Sequence, residues 1–176
     1  SSMTGLTDST TYYVRAYATN AVGTVYGDPV SFTTETPATA PTVTTQEVTG
    51  ITTTTATGNG NVTSDGGSAI TERGIVWAAT ANPTTAGNKV TAAGTTGAFT
   101  GDITGLTPGT QYHVRAYATN AIGTSYGSDV TFTAYKLPTV TTQAVSGIGT
   151  TTATGNGNIT DLGVPNPTQH GVVWNT

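Results

Sequence analysis

Two stretches of this chain occur twice, and that recurrence limits the fold more than any other feature. Thr4 to Thr34 (TGLTDSTTYYVRAYATNAVGTVYGDPVSFTT) returns at Thr104 to Ala134 as TGLTPGTQYHVRAYATNAIGTSYGSDVTFTA. Thr42 to Trp77, opening TVTTQEVTGITTTTATGNGNVT and ending GIVW, returns at Thr139 to Trp174, opening TVTTQAVSGIGTTTATGNGNIT and ending GVVW. Self-similarity of this kind marks one supersecondary unit used repeatedly. In order, the chain reads as the back part of a unit (1–34), a linker (35–41), a whole unit (42–134), a linker (135–138) and the front part of a further unit (139–176). Only 42–134 holds every stretch once, so only that span is expected to close a core alone. Each partial unit should expose one apolar face and unpaired strand edges until a complement covers it. A neighbouring copy pairing head to tail is one source of that complement and would propagate into a filament. A longer array, of which this chain is a fragment, is the other.

The local pattern is that of strands. Only 8% of the 176 residues are charged, against about 25% in an ordinary soluble domain, and Thr is the commonest residue. Its stiff β-branched side chain suits a pleated surface and is poor in helices. Val, Ile, Tyr, Phe and Trp recur in alternation, which a disordered chain of low charge would lack. Strands are expected at Thr42 to Val48, Thr53 to Val62, Thr71 to Ala78, Gln111 to Asn120 and Asp129 to Phe132, with a weakly defined stretch over Ala86 to Gly97. Within Gln111 to Asn120, Tyr112, Val114, Ala116 and Ala118 share one face, read as the interior, and His113, Arg115, Tyr117 and Thr119 the other. Ala56, Gly58, Gly60 and Val62 also share a face, and Trp77 is the expected bulk opposite those small residues.

The string Leu106-Thr-Pro-Gly-Thr-Gln-Tyr112-His-Val114-Arg115-Ala-Tyr-Ala-Thr-Asn120-Ala-Ile-Gly123 resembles the signature around the sixth strand of fibronectin type III domains. Leu6 to Gly23 matches it too, with Asp8 and Ser9 in place of Pro-Gly. The resemblance implies an all-β fold of tandem antiparallel β-sandwich repeats, and a tyrosine corner at Tyr12 and Tyr112 in which the phenol bonds to backbone a few residues upstream. Leu6, Leu106, Val14, Val114, Trp77 and Trp174 are the accompanying core candidates. The "S-D-G-G" and "A-N-P-T" elements are also similar to repeats of very large bacterial surface and secreted proteins, which implies an extracellular or cell-surface location.

Reactive chemistry finds little to work with. Cys is absent, which removes disulfides, thiolate metal sites and Cys nucleophiles. A net charge of -4 and dispersed Arg15, Arg73, Lys89, Arg115 and Lys136 argue against nucleic acid and anionic membrane as partners. No stretch reaches the roughly 18 apolar residues of a spanning helix, and no charged-then-apolar leader opens the chain. His113 and His170 stand where the other copies carry Tyr13 and Arg73, positions the alternation puts outside, so both read as solvated and not as bases. The nine carboxylates show no spacing that suggests a shared cleft. Ser64-Asp65-Gly66-Gly67 is weighed as a calcium loop and as a tight turn, and the turn is preferred because Leu162 stands opposite Asp65 in the other copy. Gly58-Asn-Gly-Asn61 lacks the Lys and helix of a phosphate loop. Asn61-Val-Thr63 and Asn158-Ile-Thr160 are glycosylation sequons by pattern alone.

Outward Tyr17, Tyr117 and Tyr13 could stack on sugar rings, and Thr rows could meet a polysaccharide or ice lattice, although twisted sheets make poor flat lattices. The expectation is a non-catalytic extracellular spacer, stalk or filament subunit. It needs no metal or other cofactor, and its partners are neighbouring repeats or copies of itself. The alternative is a carbohydrate-binding or adhesive module accessory to a larger secreted enzyme or adhesin.

Overall fold

The computed structural model describes residues 2–176, which form strands, turns and loops without a helix. They divide into two compact units, Ser1–Thr39 and Ala40–Thr176. The first unit contains β1 (Thr11–Val14), β2 (Tyr17–Thr19), β3 (Thr24–Tyr26) and β4 (Val30–Thr33). The second opens with β5 (Thr42–Thr49), β6 (Ala56–Ser64), β7 (Glu72–Ala78), β8 (Asn88–Thr91) and β9 (Gly97–Ile103). It continues with β10 (Gln111–Thr119), β11 (Thr124–Tyr126), β12 (Val130–Thr133), β13 (Thr139–Ser146) and β14 (Thr154–Asp161).

Strands β5 to β12 make an immunoglobulin-like antiparallel β-sandwich. One sheet runs β5-β6-β9, and the other runs β8-β7-β10-β11, with β12 also paired to β10. Alternation on β10 sends Val114, Ala116 and Ala118 into the space between the sheets, where they meet Ile75, Val62, Ile103 and Phe99 in one continuous core that Tyr112 edges. Burying a large aliphatic side chain stabilises by about 1.5–3 kcal/mol, whereas an exposed ion pair such as Lys89–Glu72 contributes about 0–1 kcal/mol. The interlayer core therefore dominates the stability of this sandwich.

Its closeness depends on two glycines of β6. A Cβ built on Gly58 would lie 2.6 Å from Ile75 Cγ2, and one on Gly60 would lie 2.6 Å from Ala116 Cβ and 2.7 Å from Phe99 Cζ. Trp77 was expected opposite these glycines; Ile75, Phe99 and Ile103 occupy that space instead. The reason is register: Trp77 pairs with Val114, two residues further along the sheet than the Ile75–Ala116 pair that lies over Gly60. Trp77 is still buried, at the end of the same core.

The outer layer is sealed on one side by β5. Gly127 interrupts the edge between β11 and β12 and approaches so near that a Cβ there would strike the Thr45 backbone. Through this gap the Thr45 hydroxyl accepts the Ala116 N–H at 3.0 Å. A β5 side chain thus takes a ladder position on β10 that the interrupted edge leaves open.

The flanking segments repeat the local pairing without the second layer. Strand β1 pairs with β4 in the register Tyr12↔Phe32, as β10 pairs with β12 in the register Tyr112↔Phe132. Tyr17↔Tyr26 on β2 and β3 likewise repeats Tyr117↔Tyr126. In the sandwich, β7 supports β10 along its other edge from His113 to Thr119. The first unit has no such neighbour, and there the equivalent strand breaks at Arg15 and Ala16 into β1 and β2. Strands β13 and β14 repeat β5 and β6, including the register shift between Gln143 and Ser146 that matches the one between Gln46 and Thr49. Residues 169–174, the counterpart of β7, form no strand.

The glycine packing gives a direct test. Gly60→Ala should destabilise the sandwich by about 1–3 kcal/mol through overpacking. Gly123→Ala, where an added Cβ meets nothing within 4 Å, should leave the denaturation midpoint within about 0.5 kcal/mol of the parent. Equal midpoints for the two variants would contradict this packing.

Candidate functional site

Many polar side chains of the sandwich bond to its own backbone and some to one another. The Tyr112 hydroxyl accepts the Thr107 N–H at 3.0 Å, and the Tyr12 hydroxyl accepts the Thr7 N–H at 2.8 Å. The latter bond holds the Tyr12 phenol below its ordinary pKa. Each phenol thereby pins the turn that precedes its strand. In one copy that turn is Pro108-Gly109, with Gly109 at φ 77, a left-handed conformation that glycine adopts without strain. In the other, Ser9 adopts φ 51 at the same place.

Tyr117, expected to face outward and stack on a ligand, is 0% exposed. It does lie on the outer face of its sheet, but it pairs with Gly74 and its ring occupies the space a side chain there would fill, 2.9 Å from an added Cβ. Its hydroxyl donates to Glu72 Oε1 at 2.5 Å, and Lys89 Nζ reaches the same oxygen at 3.0 Å. Burial, and then the Glu72 carboxylate, push the Tyr117 phenol far above its ordinary pKa. The Tyr117 hydroxyl, followed by Lys89, holds Glu72 below the usual carboxylate range.

Beside this group, Tyr126 lies under the Arg115 guanidinium, 4.8 Å from its ring centre. Tyr126 Oη also accepts the Thr85 N–H at 3.1 Å. His113, expected on a solvated face, is half-buried with Nδ1 3.0 Å from both oxygens of Asp129. Asp129 also accepts the Asn82 N–H at 2.7 Å. These bonds tie the loop between β7 and β8 to the outer face, which is why alternation alone misjudged that face as open.

Two further polar residues escaped the sequence reading. Arg73, placed outside by alternation, lies on the inner face opposite Ala118 and is buried. Its guanidinium donates to the carbonyls of Ala93, Thr95, Thr96 and Gly97 and lies 4.9 Å from the centre of the Phe99 ring. It caps the core and orders a Gly-rich loop, which explains how so poorly patterned a segment holds one shape. His170 at the equivalent position is exposed. Asn120 is buried, with Oδ1 accepting the Ile122 and Gly123 N–H groups while Nδ2 donates to the Asp65 carbonyl. The repeated N-x-x-G at Asn20 and Asn120 was the available signal, because Asn side chains cap such turns. Asp65 Oδ1 accepts the Gly67 N–H at 2.9 Å within a turn whose Gly66 and Gly67 have φ of 71 and 78.

The exposed surface of a different character lies on the flanking segments. Leu6 and Val14 are 37% and 38% exposed and Trp174 is 89% exposed, whereas Leu106, Val114 and Trp77 at the equivalent positions are buried. All three were expected in a core; the layer that buries their counterparts is missing over them. Tyr17 is 72% exposed, because no strand pairs beside it as β7 pairs beside Tyr117. On the face of β13 and β14 a groove of about 570 Å³ is lined by Val140, Gly155, Gly157, Ile159, His170 and Val172 among others. Val172 packs over Gly155 as Ile75 packs over Gly58, whereas over Gly157 no side chain takes the place that Phe99 and Ala116 fill over Gly60.

The buried phenol sets an alkaline limit. Below pH 10.0, the ordinary phenol value, Tyr117 is neutral in folded and unfolded chains alike. Above it the unfolded chain releases a proton that the folded chain retains, so stability falls as pH rises. Tyr117→Phe should lose about 1 kcal/mol at neutral pH and show a shallower alkaline decline in urea midpoint than the parent. Parallel declines would contradict the burial of this hydroxyl.

No family model matches the chain, and no curated protein matches it. Similar solved structures include the sensor domain of the anti-sigma factor RsgI4 of Pseudobacteroides cellulosolvens, at 16% identity over 55% of this chain and 95% of that one, TM-score 0.39. They also include the chicken CNTN1 FN1-FN3 domains, at 18% identity over 74% of this chain and 44% of that one, TM-score 0.40. Domains from titin align at 22% identity over 66% of this chain and 38% of that one, TM-score 0.35.

Proposed function

We propose that this chain is a non-catalytic structural protein of tandem fibronectin type III-like repeats, acting as a spacer or stalk outside a bacterial cell. The observation that carries this reading is the joint after the sandwich, which is bonded on both sides. Tyr135 N–H donates to the Thr52 carbonyl of the sandwich at 2.9 Å. Lys136 and Val164 then exchange two backbone bonds, of 2.8 and 2.7 Å, and Lys136 Nζ forms an ion pair with Asp161. That pairing, with help from the Gly163 N–H, holds the Asp161 carboxyl below its usual range. A linker that only tethers needs none of these contacts, whereas one that transmits orientation between consecutive sheets needs them all.

The joint at 35–41 differs in chemistry. It is longer, and the counterpart of Asp161 in the following segment is Ser64, so it lacks the residues for the same ion pair. Short and long linkers of this kind would give a stalk joints of unequal stiffness.

A second reading is the carbohydrate-binding or adhesive module, favoured by the exposed Tyr17 ring beside Tyr26, 6.2 Å between centres. Loss of glycan-array binding on Tyr17→Ala would favour it.

Spin labels on Thr131→Cys and Thr160→Cys test the spacer directly. The expected result is one narrow distance distribution, broadened by Lys136→Gly, which deletes the ion pair and frees the backbone. A broad distribution in the parent, or none of the expected broadening, would remove the support for a stiff joint.

A further inference from the structure

We infer that Asn59-Gly60 of β6 is a modification site, at which the Asn59 amide is lost by cyclisation onto the Gly60 nitrogen when β6 opens, and that the product loosens β5 from the sandwich. In an Asn-Gly pair the second residue has no side chain, which leaves its backbone nitrogen free to approach the amide of the first. The pair occurs at 59–60 and again at 156–157, inside the same heptapeptide TATGNGN. In β6 both of its residues are needed. A Cβ on Gly60 would lie 2.6 Å from Ala116 Cβ and 2.7 Å from Phe99 Cζ, so the core demands the glycine. Asn59 Nδ2 donates to the Glu47 carbonyl at 2.8 Å and to Thr49 Oγ1 at 3.1 Å, across the register shift between Gln46 and Thr49. The irregular stretch of β5 therefore demands the amide, and the fold itself imposes the reactive pair.

In the step, the Gly60 nitrogen attacks Asn59 Cγ and the new N–Cγ bond closes a succinimide ring. The Cγ–Nδ2 bond breaks, and ammonia leaves with the proton that Gly60 gives up. Water then opens the ring at either carbonyl, giving aspartate or isoaspartate at position 59. The folded sandwich holds this step back in two ways. Its bonds to Glu47 and Thr49 turn the Asn59 amide toward β5. Ring closure also requires the Asn59 backbone to rotate out of its extended conformation, while Gly60 is paired with Thr45 on one side and Phe99 on the other. Asn156 makes the same side-chain bonds, to the Ala144 carbonyl at 2.8 Å and Ser146 Oγ at 2.9 Å, but β14 pairs with β13 alone. Two identical stretches of this chain thus differ in how much structure must open before they react.

Either product removes what Asn59 supplies. An ionised carboxylate at 59 has no hydrogen to donate and sets negative charge against the Glu47 carbonyl oxygen. Isoaspartate also inserts a methylene into the main chain before Gly60, and a strand displaced in this way loses the alternation that puts Gly60 and Val62 inside. Because the Thr45 hydroxyl of β5 accepts the Ala116 N–H, loosening of β5 reaches β10 as well. The modified sandwich opens more readily than the parent, so the damage accumulates in the repeats that open most often.

Peptide mapping by mass spectrometry of the 176-residue chain, incubated in mildly alkaline buffer with and without concentrated urea, tests this, with aspartate and isoaspartate resolved at 59 and 156. In urea the two sites should react at the same rate, because their neighbours in sequence are the same. In the folded chain Asn59 should be slower than Asn156 by about tenfold or more. Ile103→Val, which thins the core around a fully buried side chain, should speed Asn59 and leave Asn156 unchanged. Asn59→Asp should lower the urea midpoint of the sandwich further than Asn61→Asp, which adds the same charge on the same face of β6. Equal rates at the two sites in the folded chain would overturn the inference. So would an Asn59 that stays intact in urea, a rate at Asn59 indifferent to Ile103→Val, or equal midpoints for the two aspartate variants. The rates at 59 and 156 are read on the parent chain and hold whether or not Asn59→Asp folds.

Discussion

The structure depends on two sheets approaching closely across a strand that has almost no side chains on its inner face. Gly58 and Gly60 leave space for Ile75, Phe99 and Ala116, and the buried faces of β6, β7, β9 and β10 become one core. With so few charges on the chain and no disulfide, this interlayer packing supplies most of what opposes the conformational entropy of the ordered strands. Groups on the outside, including Tyr126 with Thr85 and Asp129 with Asn82, then fix a loop onto a frame that already exists.

The flanking segments show what the same residues do without the second layer. Their hairpin registers, tyrosine bonds and aromatic pairs persist, because those are local. What changes is burial: Val114 and Trp77 are enclosed in the sandwich, whereas Val14 and Trp174 lie open in its partial copies. Local pairing sets which residues share a face, and the opposing sheet decides whether that face is a core.

Much of the fold was legible for this reason. Alternation identified the inner quartet of β10, and the pairing of Tyr112 with an upstream turn was implied by the resemblance of the string from Leu106 to Gly123 to a known signature, in keeping with a phenol that needs a partner beside a fixed bend. The misjudged residues share a cause. Tyr117 was assigned to solvent because period-two reasoning equates the outer face with water, but the Tyr126 ring beside it, the Glu72 carboxylate on its hydroxyl and a glycine beneath the ring enclose it. Arg73 was placed outside by alternation, yet four carbonyls of a loop without periodicity satisfy it inside. Trp77 was matched to the glycines by size, whereas register assigned that space to Ile75 and Phe99. Leu6, Val14 and Trp174 were read by analogy with their buried counterparts, and burial does not transfer without the covering layer.

Native-state amide hydrogen exchange on dilute, monomeric chain measures the central claim most directly, since protection reports how much structure must open to release each bond. Amides of β6, β7 and β10 should exchange only through global unfolding of the sandwich, while those of β1 to β4, β13 and β14 should exchange orders of magnitude faster despite near-identical sequences. Equal protection of the two classes would show that strand pairing alone, without the second layer, stabilises these segments, and the account would be wrong.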